Sequence, residues 1–232
     1  MSNTNNILLP LSILLAGGLI AAGLFLGLSN QSAQVATTTN EQLPVPNEPT
    51  APDPADIEVS LEGFAVLGEP DAPVLIAEYS DFACPFCARF HDDTKDQIIA
   101  AYVETGQAQF VRKDFIAVGG DRAAEAAHCA GDQGAYWEYT AILYQNQAAD
   151  RGRWADPEVH RGYAETLGLD ADALVTCFTD RTHQARVTES SQEAAANGGQ
   201  GTPFFVINGI PISGAQPFNV FEQVIELALS EL

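Results

Sequence analysis

The sequence predicts an α/β domain whose sheet is interrupted by a long helical insertion, preceded by one apolar segment of membrane-spanning length. Three observations carry this. An apolar run, Val74-Leu75-Ile76-Ala77-Glu78-Tyr79, passes through Ser80-Asp81-Phe82-Ala83 into a helical pattern that opens on Cys84-Pro85-Phe86-Cys87. A second apolar run, Phe204-Phe205-Val206-Ile207, comes only near the end of the 232 residues and is followed by Asn208-Gly209. From about residue 120 to 197, between the sheet-forming parts, the spacing of apolar residues is helical throughout.

Taken in order, Ile7 to Leu28 is 22 residues without a charge, long enough to cross about 30 Å of hydrocarbon. A cleaved signal peptide wants a basic start, a shorter core and a small-x-small site. Here the start carries no Lys or Arg, and the best site, near Ala36, has Gln34 where a small residue is wanted. Residues 1–28 therefore read as a retained transmembrane signal-anchor. Neither flank carries Lys or Arg, so the positive-inside rule has nothing to count. Residues 29–60, with Pro44, Pro46, Pro49, Pro52 and Pro54 among acids, read as an extended linker that cannot bury a core.

The folded domain is expected over 61–232, long enough to bury one substantial core. Phe64 to Leu67 reads as a first short strand, and Val74 to Tyr79 as a buried one. After the cysteine motif, Phe90, Ile98, Ile99, Tyr102 and Val103 keep helical spacing up to Gly106. Ala108 to Phe115 reads as a third strand. The insertion holds helical patterns at Ala123–Ala130, Tyr136–Tyr144, after Asp156-Pro157, after Asp170, and at Arg181–Ala196; the two aspartates are N-cap candidates. Asn208-Gly209 is a two-residue hairpin signal between Phe204–Ile207 and Ile210-Pro211-Ile212. A last helix presents Phe218, Phe221, Ile225 and Ala228 on one face, with Val224 beside them.

The chemistry concentrates at Cys84 and Cys87. With Cys84 at a helix N-cap, Pro85 takes the first helical position, where its missing N–H costs nothing. Unpaired backbone N–H groups and the helix dipole then favour a thiolate at Cys84, the species that attacks a disulfide. Cys87, one turn on, can resolve the resulting mixed disulfide. Half of a zinc ribbon is the competing reading, but it needs a second closely spaced ligand pair, and Cys129 and Cys177 stand alone. The formal net charge is −21, of which five acids within residues 1–60 supply −5, leaving −16 on the domain. Such a balance argues against nucleic acid as a partner.

Glu78 through Cys87, Gly131-Asp132-Gln133-Gly134-Ala135-Tyr136-Trp137 and Gly201-Thr202-Pro203-Phe204-Phe205-Val206-Ile207-Asn208-Gly209, in that order, resemble the thioredoxin superfamily. Within it, residues 61–232 resemble the DsbA-like thiol:disulfide oxidoreductases of exported proteins. The resemblance implies a thioredoxin-like fold with a helical insertion, a catalytic domain outside the cytoplasm on a single-pass membrane protein, and disulfide formation in reduced or unfolded exported proteins. It further implies Cys84 and Cys87 as the catalytic pair, Glu78 as a buried acid beneath them, and a quinone-linked membrane thiol oxidase as recharging partner. Glu78 is expected to have a raised pKa and to move a proton to or from Cys87. Pro203 is expected in the cis form, with the Thr202 backbone pairing to an extended substrate segment and Phe86 beside it on the binding surface. Phe86 stands where the strongest oxidants of the family carry histidine, and Asp81, Asp92 and Asp93 lie near in sequence, where their charges disfavour a thiolate. His91 reads as a solvated helix residue. In an oxidising compartment Cys129 and Cys177 are most simply a structural disulfide, the other reading being two buried thiols. No cofactor, metal or dimerisation module is visible, and a monomer is expected. The rival readings are a reductase or isomerase on the same scaffold, and a thioredoxin-like module that holds peptides or carries metal without exchange.

Overall fold

The computed structural model describes residues 57–231. The expected signal-anchor over 1–28 and most of the expected linker lie outside the described residues. Among those described, no helix is long and apolar enough to cross a membrane. Residues 57–60, read above as the end of the linker, belong to the folded part: Ile57 and Val59 pack on the core, and Asn197 Nδ2 donates to the Glu58 carbonyl at 2.8 Å.

Among the described residues five strands form one sheet, in the order β1-β3-β2-β4-β5. They are β1 (Val66–Leu67), β2 (Val74–Ser80), β3 (Ala108–Asp114), β4 (Phe204–Ile207) and β5 (Ile210–Ser213). β2 and β3 run parallel; every other pairing is antiparallel. β1 is shorter than the Phe64–Leu67 expected, and pairs with β3 only through Val66 and Leu67. Asn208 and Gly209 turn the β4–β5 hairpin at φ 44° and 85°, the left-handed values that such a turn demands. The Asn208 amide also accepts from Leu75 N at 2.8 Å, tying the turn to β2.

The helix after the motif is continuous in chain but not uniform in winding. Pro85–Phe90 is α-helical, His91–Lys95 π-helical, Asp96–Ile98 α-helical and Ile99–Val103 π-helical; together they are α1. A 3.6-residue pattern does not reveal such widened turns. The insertion supplies α2 (Asp121–Gly131), α3 (Tyr136–Gln145), α4 (Gln147–Asp150), α5 (Pro157–Thr166), α6 (Ala171–Thr179) and α7 (Gln184–Ala196), and α8 (Phe218–Ser230) ends the described chain. Asp156 caps α5 by accepting from Glu158 N at 3.0 Å, and Asp170 caps α6 by accepting from Ala173 N at 3.0 Å.

Both faces of the sheet are covered. Ile76 and Phe110 meet Phe90 of α1 and Phe221 and Ile225 of α8, while Ala77, Tyr79 and Val111 meet Ala194 of α7. Alternation along β2 therefore exposes nothing, and Glu78 is buried with its neighbours. On the α1 face the residues change character along the strands. Ile76 pairs with Phe110, then Glu78 with Arg112, then Ser80 with Asp114. The sheet so delivers a polar layer at the carboxyl ends of its parallel strands, directly before the motif in sequence.

Candidate active site

Cys84 is the N-cap of α1, with extended backbone (φ −81°, ψ 121°), and Pro85 is the first helical residue. The Cys84 carbonyl accepts from Cys87 N at 3.1 Å and Ala88 N at 3.2 Å, which closes the first turn. Both cysteines are free thiols. Cys84 is only 4% exposed and Cys87 is fully buried, so neither sulfur lies open. The Thr202–Pro203 loop accounts for this: Cys84 Sγ lies 3.3 Å from the Thr202 carbonyl oxygen. The Thr202–Pro203 peptide bond is cis. Phe86, by contrast, is 55% exposed, with the Arg89 guanidinium 5.1 Å from its ring centre.

The two thiols are driven in opposite directions. A hydrogen bond from Cys87 is the strongest influence on Cys84; with a bond from Thr202 and the N–H groups of Phe86 and Cys87, it outweighs burial and brings the Cys84 thiol down to about 5. Burial pushes the Cys87 thiol up, and the Cys84 sulfur and the Glu78 charge push it further. One sulfur is thus a thiolate at neutral pH and its partner a thiol that supplies the hydrogen bond.

Beneath them lies a buried layer of charges. Glu78 Oε2 meets His91 Nε2 at 3.1 Å, and Glu78 Oε1 has no protein hydrogen-bond partner. Burial raises the Glu78 carboxyl, but His91, its closest charge partner, and Arg112 beside it on β3 hold it below the ordinary carboxylate range. This reverses the expected rise, and the reason is that sequence alone supplied neither partner. It also corrects His91, which turns inward over Glu78 and stacks on Tyr144 with ring centres 4.1 Å apart.

Arg112 is fully buried. It donates to Asp114 Oδ1 at 2.8 Å, the Tyr136 hydroxyl at 3.2 Å and the Ser80 carbonyl at 3.2 Å, and lies 3.6 Å from the centre of the Phe82 ring. Asp114 also meets His128 Nε2 at 2.6 Å. Burial raises the Asp114 carboxyl, but His128 and Arg112 pull it down to about 2. Sequence reading missed Arg112, Asp114 and His128 as part of this layer. The available signal was three consecutive charged residues, Arg112-Lys113-Asp114, inside a strand otherwise fit for burial.

Two further residues hold the motif loop. Asp81 is buried, and its carboxylate accepts from Ala83 N at 2.8 Å, Ala117 N at 2.9 Å and Val118 N at 2.7 Å. Gly120 packs so closely that an added Cβ would collide with this carboxylate. Gln147 of α4 donates to the Phe82 and Cys84 carbonyls at 2.6 and 2.9 Å, a clamp from the insertion. The structure brings Cys84, Cys87, Glu78, Thr202, Pro203 and Phe86 to one end of the sheet. Cys129 and Cys177 lie elsewhere in the insertion, joined by a disulfide between α2 and α6.

A family model described as thioredoxin matches residues 61–227. Among curated proteins, a Na(+)/H(+) antiporter NhaA 1 of Salinispora arenicola is 33% identical over 62% of this chain, and the chain spans 21% of that antiporter's length. Disulfide bond formation protein D of Bacillus subtilis is 26% identical over 73% of this chain and 79% of its own. Among solved structures, oxidised BdbD from Bacillus subtilis superposes with a TM-score of 0.68 at 24% identity, covering 74% of this chain and 95% of that one. With a model covering most of the chain and a shared fold, the chain belongs to the thioredoxin family.

Proposed function

We propose that the chain is a DsbA-like thiol:disulfide oxidoreductase that forms disulfides in reduced exported proteins. One observation carries the reading: a Cys84 thiol lowered to about 5 at a helix start, beside a Cys87 thiol that is raised. In the oxidised enzyme a substrate thiolate attacks Cys84 Sγ, the Cys84–Cys87 bond breaks, and Cys87 leaves and takes up a proton. A second substrate thiol loses its proton and attacks the substrate sulfur of the mixed disulfide, expelling Cys84 as a stable thiolate. The substrate has lost two electrons and two protons; the Cys84–Cys87 pair holds the electrons. Glu78, ionised and with one oxygen free, is the acceptor for the Cys87 proton when the pair is reoxidised. Thr202 and Pro203, beside Cys84, offer backbone to an extended substrate segment, with Phe86 as an apolar contact.

The apolar stretch from Ile7 to Leu28 supports a single-pass anchor, and the likeness to disulfide oxidoreductases supports a catalytic domain on the extracytoplasmic side, recharged by a quinone-linked membrane thiol oxidase. The deciding experiment is the reduction potential of the Cys84–Cys87 couple in glutathione buffers. A value near about −120 mV supports the oxidase, and one near about −270 mV replaces it with a reductase.

A further inference from the structure

We propose that reduction of the Cys129–Cys177 disulfide converts its surroundings into a zinc site with four ligands: Cys129, Cys177, His183 and Asp132. The sulfur atoms and the His183 ring nitrogen lie within 4.8 Å of one another. Asp132 Oδ2, outside that triad, lies 2.7 Å from His183 Nε2 and 3.8 Å from Cys177 Sγ, within reach as a fourth ligand. The four come from three elements. Cys129 and Asp132 end α2, Cys177 sits in α6, and His183 is the N-cap of α7.

The chemistry selects the metal. Two thiolates, an imidazole and a carboxylate suit tetrahedral Zn²⁺, whose bonds of about 2.3 Å to sulfur place two thiolates about 3.8 Å apart. Breaking the disulfide supplies that separation, and opening the His183–Asp132 contact from 2.7 Å to about 3.4 Å makes room for the remaining two bonds. Cys129 and His183 are buried while the Asp132 side chain is 53% exposed, which gives the ion an entry from solvent. A chain of net charge −21 favours the approach of a cation. Sequence reading set a metal aside because Cys129 and Cys177 stand alone, 48 positions apart; helix packing brings them together with Asp132 and His183.

The redox step balances with an external dithiol. It gives two electrons to the Cys129–Cys177 bond and becomes a disulfide; the freed sulfurs take its two protons, and Zn²⁺ displaces both protons on binding. A disulfide oxidant reverses this. It takes two electrons from the thiolates and two protons from solvent and leaves as a dithiol, while the S–S bond re-forms and the ion departs. In the reduced state the metal replaces the disulfide as the tie between α2 and α6.

The test uses the full-length chain with Cys84→Ala and Cys87→Ala, so that Cys129 and Cys177 are the only thiols. After phosphine reduction without oxygen, Co²⁺ is added as a spectroscopic probe. One equivalent bound, with thiolate-to-cobalt charge-transfer absorption that Zn²⁺ abolishes, is the expected result, and His183→Ala weakens binding by at least about tenfold. Two free thiols in a chain with native circular dichroism and no such absorption at millimolar Co²⁺ overturn the proposal. So does His183→Ala binding as tightly as the parent. If reduction unfolds the chain, Zn²⁺ is expected to restore the native spectrum; failure to restore it also overturns the proposal.

Discussion

The sharpest test of the site is replacement of Cys87. Its hydrogen bond is the largest influence lowering Cys84 to about 5 from an ordinary value of 9.0. At pH 7 that shift takes Cys84 from about 1% to about 99% thiolate. The reduced enzyme is thereby favoured by about two decades, which at 29.6 mV per decade for a two-electron couple makes the pair more oxidising by about 60 mV at most. Water at the motif's edge screens part of this, so the figure is a ceiling. Cys87→Ala removes the donor and is expected to raise the Cys84 pKa by at least about one unit. Cys87→Ser keeps a hydroxyl donor and is expected to stay close to the parent. The assay is ultraviolet thiolate absorbance against pH, checked by the pH profile of alkylation, with the Cys129–Cys177 disulfide intact. Because the folded-state pKa lies below the unfolded one, the thiolate stabilises the reduced protein fully above about pH 9 and loses that effect as pH falls through about 5. Identical titrations for the Ala and Ser variants would refute the reasoning, leaving the low pKa to the backbone N–H groups and the helix start.

Glu78→Gln removes the proton acceptor beneath Cys87 and is expected to slow reoxidation of the reduced pair by about 100-fold or more at neutral pH; stopped-flow mixing with a disulfide oxidant measures it. Arg112→Leu leaves Asp114 buried with one partner fewer, and urea denaturation should show a loss of about 3–5 kcal/mol. Cys129→Ala with Cys177→Ala is expected to cost about 2–4 kcal/mol of stability while Cys84 exchanges at its usual rate, since the bridge lies outside the motif; lost exchange in a folded variant would contradict that separation.

What was legible in the sequence is what local physics determines. The β2 run, the proline after Cys84, the aspartate caps at Asp156 and Asp170 and the Asn208-Gly209 turn each rest on residues within a few positions of one another, and each lies where periodicity and capping place it. The polar layer was not legible. Glu78 meets His91 13 positions away, Asp114 meets His128 14 away, and Gln147 reaches the motif across 63. Nothing local pairs such residues; the sheet register and the insertion do. The sign error at Glu78 follows directly, because a buried acid without partners should rise and one facing His91 and Arg112 does not. The π turns of α1 escaped for another reason: five residues of wider winding leave the apolar pattern nearly unchanged.

The acids near the motif bear on the direction of electron flow, and the structure changes how they count. Asp81 would oppose a thiolate at Cys84 if its charge were free. Instead three backbone N–H groups share that charge, and it serves to hold the 117–118 segment against the motif. Asp92 and Asp93 are exposed, where water and salt screen them. The acid whose charge stands among the leading influences on the motif is Glu78, and it acts on Cys87. Raising the Cys87 pKa costs the reduced pair nothing at neutral pH, because Cys87 is already a thiol there and its proton is what stabilises the Cys84 thiolate. The negative charge beneath the motif therefore sharpens the difference between the two sulfurs without making the pair harder to reduce. That leaves the potential governed by Cys84, whose low pKa favours the reduced state and so the donation of disulfides. On this argument Glu78→Gln should alter the rate of exchange while moving the potential little, whereas Cys87→Ala should move the Cys84 titration itself. A Glu78→Gln variant whose potential shifts by as much as the thiolate effect would show that the acid acts on Cys84 after all.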